Sequence, residues 1–175
     1  ASGRIARLAD ADTGATLPEA QLDPARIATL YGARQEERRF VRVADVPPLL
    51  LGTLQAVEDR DFKHHHGVDP WAILRAAFAN LSAGEVVQGG STLTQQLVRN
   101  LFLDRSQTWR RKFNEAAMAL LVEARFDKRA ILEAYLNEVY LGQQGGQAVH
   151  GVAAACEFWF GHELAGASAA EIALL

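Results

Sequence analysis

Through most of the chain after residue 46, apolar positions recur at three- and four-residue spacing, and that period predicts helices. Pro47-Pro48 opens the first, through Leu49, Leu50, Leu54 and Val57, with Glu58 near its end. Asp69-Pro70 opens a second, in which Trp71, Leu74, Phe78 and Leu81 recur and Gly84 supplies a stop. After Gly89-Gly90, Ser91 or Thr92 can cap a third, over Leu93 to Leu103. Leu93, Leu97 and Leu101 make one stripe on it, and Thr92, Gln96, Arg99 and Asn100 make another. A fourth, with Met118, Leu121 and Val122, carries Arg111, Lys112 and Glu115 near its start. In a fifth, Ala130 to Leu141, Ile131, Tyr135 and Val139 lie on one side and Glu133, Asn137 and Tyr140 on another, and the glycines at 142, 145 and 146 end it. Helical pieces around Val149 to Phe160 and Ala167 to Leu175 follow.

Residues 1–46 read differently. Short alternating pieces such as Arg39-Phe40-Val41-Arg42-Val43 are split by Asp12-Thr13-Gly14 and Asp23-Pro24, which predicts a strand or two around a short helix near Pro24 to Tyr31. The expected organisation is therefore an extended N-terminal segment over 1–46, a tether and surface cover, ahead of a mainly α domain over 47–175. No repeat and no βαβ alternation points to a doubly wound sheet.

Composition narrows the class. With 175 residues and 49% hydrophobic positions the chain can bury a core, which argues against disorder. A formal charge of −3 argues against a general nucleic-acid binder, although Arg105, Arg110, Arg111 and Lys112 cluster locally. Cys156 is single, sits in an apolar run and reads as a small buried hydrophobe. No apolar run approaches the ~18 residues of a membrane span. The chain starts without Met and stops inside an amphipathic pattern, so an anchor upstream and another domain downstream are expected.

Candidate chemistry concentrates between Val57 and Asp69, where Glu58, Asp59 and Asp61 crowd against His64-His65-His66. Glu58 follows an apolar stretch, so partial burial would suit it to acid or base work. Adjacent histidines diverge and cannot all ligate one ion, so a metal there is disfavoured and one histidine is expected to face inward. Gly89-Gly90-Ser91-Thr92 at a helix start offers N–H groups to an anion, and Arg99, Arg111 and Lys112 would add fixed cations for a diphosphate. Arg111 and Glu115 stand one turn apart, the spacing of a surface ion pair.

In order, Glu58-Asp59-Arg60-Asp61-Phe62-Lys63-His64-His65-His66-Gly67, Gly89 to Asn100, Arg111-Lys112-Phe113-Asn114-Glu115, and Lys128 to Asn137 resemble the four motifs of the peptidoglycan glycosyltransferases, glycosyltransferase family 51. The lead-in Phe40 to Leu50 and the run Glu138 to Gln143 look most like the class A penicillin-binding proteins, in which a transpeptidase domain follows. Two positions depart from the pattern: Arg99 stands where Lys is frequent, and His150 where some relatives have Arg.

The resemblance implies a lysozyme-like helical domain with a smaller membrane-facing lobe, acting at the outer face of the bacterial cytoplasmic membrane. It implies lipid II and a growing glycan chain as substrates and Glu58 as general base. Glu115 would work on the donor side, holding a divalent cation (Mg or Mn) or ordering the basic residues. Ser91, Thr92, Gln96, Arg99, Asn100, Arg111 and Lys112 would bind the diphosphate-linked substrate. Asp59, Phe62, His65, Gly67, Glu133 and Asn137 would shape the site, with His65 as the inward-facing histidine. Trp71 to Leu81 would be either the lipid-facing lobe or a plain core helix. The alternatives are a lysozyme-like hydrolase or lytic transglycosylase, and a non-catalytic wall-binding domain.

Overall fold

Each long helix starts where the sequence supplies a cap. In a computed structural model, which describes residues 36–103, 108–144 and 147–175, α1 (Pro48–Glu58) begins with Pro at its first position. The Asp69 carboxylate accepts from the Trp71 and Ala72 N–H groups to start α2 (Pro70–Ala83), and left-handed Gly84 ends it. Thr92 and Gln95 form a reciprocal capping box on α3 (Leu93–Phe102). Thr108 caps α4 (Trp109–Glu123) and Asp127 caps α5 (Lys128–Glu138). The chain closes with α6 (Val152–Phe160) and α7 (Ala169–Leu174), the latter on a Ser168–Glu171 capping box. The molecule is mainly helical, as the spacing predicts.

The core forms where α3 lies against α5: Leu93, Leu97, Ile131 and Leu136 are buried, joined by Leu50 of α1, Phe62 and Cys156. Burying such side chains contributes roughly 1.5–3 kcal/mol each. Helix α2 stands outside this core. It buries only Ala76, while Trp71, Phe78 and Leu81 are 75%, 74% and 83% exposed, which removes the core-helix alternative for this segment. Its apolar surface approaches α4, because Trp71 and Leu120 line one shallow hollow.

A three-stranded sheet corrects the helical expectation for Val139 to Leu141 and for Val149 and His150. Helix α5 stops at Glu138, and β2 (Tyr140–Gln144) pairs antiparallel with β3 (Gln147–His150). Val139-Tyr140-Leu141 extends the apolar pattern past the helix end, but Gly142, at φ +148°, turns there and leaves room for a ring. A Cβ on Gly142 would meet Trp159 at 2.6 Å, and Trp159 Nε1 donates to the Leu141 carbonyl at 2.9 Å. The third strand, β1 (Glu36–Arg38), runs parallel to β3 in the order β1-β3-β2, with Arg38 opposite His150.

The strand expected over Arg39 to Val43 therefore falls earlier, at Glu36–Arg38, and the helix expected near Pro24 to Tyr31 lies outside the described residues. Residues 39–46 form a strap across α5 and α6. Asn137 accepts from the Val41 N–H and returns a bond to the Val41 carbonyl, both at 2.8 Å. Glu133 accepts from the Val43 N–H at 2.9 Å, and Arg39 bridges Glu157 and Glu163. Val46 is buried in the core, so this part of the lead-in is built into the same unit as the helices.

Candidate active site

Helix α1 ends by presenting Glu58 at its last residue, exposed, where two clefts meet. One, of about 930 Å³, runs between α1, α3 and α5 to the sheet and α7; Gln96, Arg99, Asn100, Arg111 and Tyr135 line it. The other, of about 700 Å³, runs from Glu58 toward α2 and is lined by Arg60, Arg75, Gly89, Gly90, Ser91 and Thr92. Val57, Glu58, Gln96 and Arg99 belong to both. The partial burial expected of Glu58 is not found, because the chain leaves the core as α1 ends.

A chain of hydrogen bonds orients Glu58. Gln96 Nε2 donates to Glu58 Oε2 at 2.9 Å, and the Tyr135 hydroxyl donates to Gln96 Oε1 at 3.2 Å. Tyr135 is buried, and burial first, then the negative charge of Glu58, pushes its phenol up to about 12, with Arg99 pulling the other way. The sequence pattern places Tyr135 only on one side of the helix, in a stripe with Ile131 and Val139. The signal available was that a buried phenol needs a partner.

Behind Glu58, Asp59 is a brace. It is buried, accepts from His65 Nε2 at 2.9 Å and takes the Leu93 N–H at 2.9 Å. His65 faces inward as expected; its Nδ1 accepts from the Gly67 N–H at 3.1 Å, while His64 and His66 are exposed. Phe62 lies under the Lys128 ammonium, 4.5 Å from the ring centroid. Gly67, at φ +94°, fits where a Cβ would sit 2.6 Å from the Ala119 carbonyl oxygen of α4.

The supply of free N–H groups expected at the start of α3 is reduced, since those of Thr92, Leu93 and Gln95 already have partners. Asp59 occupies the Leu93 N–H, and the Thr92 hydroxyl accepts from the Gln95 N–H while donating to the Gly67 carbonyl at 2.6 Å. The helix dipole is already met by an internal carboxylate, and Thr92 is committed to the frame. Cationic side chains remain for an anion. Arg99 is exposed and has no ion-pair partner among the described residues.

Glu115 is fully buried on α4, where Arg111 Nη1 reaches one oxygen at 2.6 Å and Lys112 Nζ the other. Lys112 also donates to Ser91 Oγ at 2.6 Å, which ties α4 to the second cleft. The spacing of a surface ion pair is thus realised in the interior. Both Glu115 oxygens face cations, and no three His, Cys, Asp or Glu groups converge among the described residues, so these side chains do not fit a divalent cation.

Residues 23–175 match the transglycosylase family. The chain belongs to that family. Penicillin-binding protein 1B of Haemophilus influenzae is 48% identical over 98% of this chain and 22% of its own length. Penicillin-binding protein 1B of Escherichia coli is 48% identical over 89% of this chain and 18% of its own, and penicillin-binding protein 1A of Aquifex aeolicus is 47% identical over 83% and 20%. The chain thus spans about a fifth of the length of these relatives. Within this transglycosylase fold, Glu133 and Asn137 line neither cleft and instead fasten the 39–46 strap to α5.

Proposed function

We propose that this chain is a peptidoglycan glycosyltransferase that polymerises lipid II by inverting transfer, with Glu58 as general base. The observation that carries the reading is the position of Glu58 at the junction of two clefts, one oxygen held by Gln96 and the other without a hydrogen bond among the described residues. One cleft would take the donor, a glycan on undecaprenyl diphosphate, and the other the acceptor.

Glu58 Oε1 removes the proton of the acceptor GlcNAc 4-hydroxyl, whose oxygen attacks the donor's anomeric carbon. The bond from that carbon to the diphosphate breaks, and the α linkage becomes β. Charge passes to the departing diphosphate, which Arg99, Arg111 and Lys112 neutralise; Asn100 and Ser91 are neutral hydrogen-bonding groups beside them. Glu115 never meets substrate on this reading: it holds Arg111 and Lys112 in fixed positions before charge develops.

A hydrolase using Glu58 as acid is disfavoured, since such an acid needs an apolar pocket and has no use for a cationic diphosphate site. The apolar surface of α2, continued toward Leu120, suits a membrane surface, which keeps lipid-linked substrates within reach. No helix among the described residues is long and apolar enough to cross a membrane. Anchoring at the outer face of the cytoplasmic membrane and a fused transpeptidase belong to the same proposal, supported by similarity to penicillin-binding proteins of which this chain spans about a fifth. Labelled lipid II should yield polymer, while preformed peptidoglycan should stay intact. Cleavage of the latter without polymer from the former would reverse the assignment.

A further inference from the structure

We propose that Tyr135 is a positioning residue for Glu58, acting through Gln96: its hydroxyl fixes the amide so that Nε2, rather than Oε1, faces the base. The proposal rests on Glu58 being the base, and it adds how that base is kept aimed.

An amide side chain can turn either end toward a neighbour. If Gln96 turned its oxygen to an ionised Glu58, acceptor would face acceptor. With ionised Glu58 requiring a donor, the amide keeps Nε2 on the carboxylate, and in that orientation the 3.2 Å bond from the Tyr135 hydroxyl to Oε1 pins it from behind. Gln96 Nε2 then occupies Glu58 Oε2 at 2.9 Å and leaves Oε1 as the proton acceptor. The hydrogen bond sequence crosses three helices, α5 to α3 to α1, so packing of α3 on α5 in the core is converted into the direction of a carboxylate at the cleft.

Other charged groups share this space. Arg99 and Arg111, with Tyr140 and His150, line the first cleft, and Asp59, Arg60, Asp69 and Arg75 line the second. They are the same groups in the Tyr135 and Gln96 variants, so a change in kcat at a fixed pH reports the lost bond.

The test is the steady-state kcat and KM for lipid II in the full chain, for wild type, Tyr135→Phe, Gln96→Ala and the double variant. In Tyr135→Phe, kcat should fall roughly tenfold with KM nearly constant, since one hydrogen bond to a charged group is disordered. Gln96→Ala, on a half-buried side chain, should lower kcat at least as much without touching the core. In the Gln96→Ala background, Tyr135→Phe should add nothing further. A wild-type kcat in either single variant, or an undiminished Tyr135→Phe effect in the double variant, overturns the proposal. Retained synthesis in Glu58→Gln would instead remove the base assignment, so the two failures are distinguishable.

Discussion

At the end of α1 the carboxylate of Glu58 is exposed and accepts one hydrogen bond, from an amide, whereas in the second turn of α4 the carboxylate of Glu115 is sealed from solvent between two cations. The residues are the same type in the same site region, yet their surroundings suit them to opposite work on the proposed mechanism. There a base must present an oxygen to a substrate proton, and of the two only Glu58 has an oxygen without a hydrogen bond among the described residues. A carboxylate clasped on both oxygens cannot take a proton without losing its partners, but it can hold Arg111 and Lys112 ready. Charge assignment here follows from what each oxygen already touches.

Removing each glutamate in turn separates the two roles. Glu58→Gln should lower lipid II polymerisation by roughly a thousandfold while thermal stability stays near wild type, because the side chain is exposed. Glu115→Gln should lower the rate roughly a hundredfold and also destabilise by about 2 kcal/mol, since a buried ion-pair partner is lost beside cations that remain partly exposed. If Glu115→Gln left stability untouched, the contrast between the regions would fail. Denaturant midpoints for both variants check this.

Gly67 joins the two regions, because the loop behind Glu58 touches α4 there, one turn after Glu115. Gly67→Ala should cost about 2 kcal/mol, read by chemical denaturation, through both the positive φ and the Ala119 backbone. Arg99, which Glu115 does not hold, should be the separable cation: Arg99→Ala should lower kcat/KM about tenfold at unchanged stability, with Arg99→Lys recovering part. Steady-state kinetics beside a melting curve decides it.

The smallest effect lies away from both glutamates. Glu171 is drawn from its usual 4.5 to about 2, first by the Ser168 N–H, then by His162 and the Ser168 hydroxyl. Its contribution to stability is therefore full above 4.5 and lost as pH falls toward 2. His162 is raised above 6.5, by the Glu163 carbonyl and then by Glu171, so its contribution is present below 6.5 and lost as pH rises through the raised value. His162→Gln should flatten the alkaline side of a stability-against-pH curve and leave the Ser168-dependent part of the acid side.

The helices and most of the polar site residues are legible in the sequence; this contrast is not. The helices announce themselves by period and caps, and Glu58, His65, Arg99 and the Arg111–Glu115 spacing stand out as residues. Burial was read in reverse for the two glutamates, because it depends on where α1 leaves the core and where α4 enters it. The β1–β3 pairing joins residues more than a hundred positions apart by backbone bonds alone, so no local pattern carries it. Glu133 and Asn137 sit within a motif, yet their partners are backbone groups of a distant strap. Tyr135 hides because a ring at helical spacing masks the hydroxyl that bonds Gln96.

The most direct measurement of the division of labour is the pH dependence of kcat/KM for lipid II polymerisation in wild type, Glu115→Gln and Glu58→Gln. The account predicts that the acidic limb persists in Glu115→Gln at a lower plateau and vanishes from the residual rate of Glu58→Gln. A limb that survives in Glu58→Gln and disappears in Glu115→Gln would exchange the roles of the two carboxylates and contradict the account.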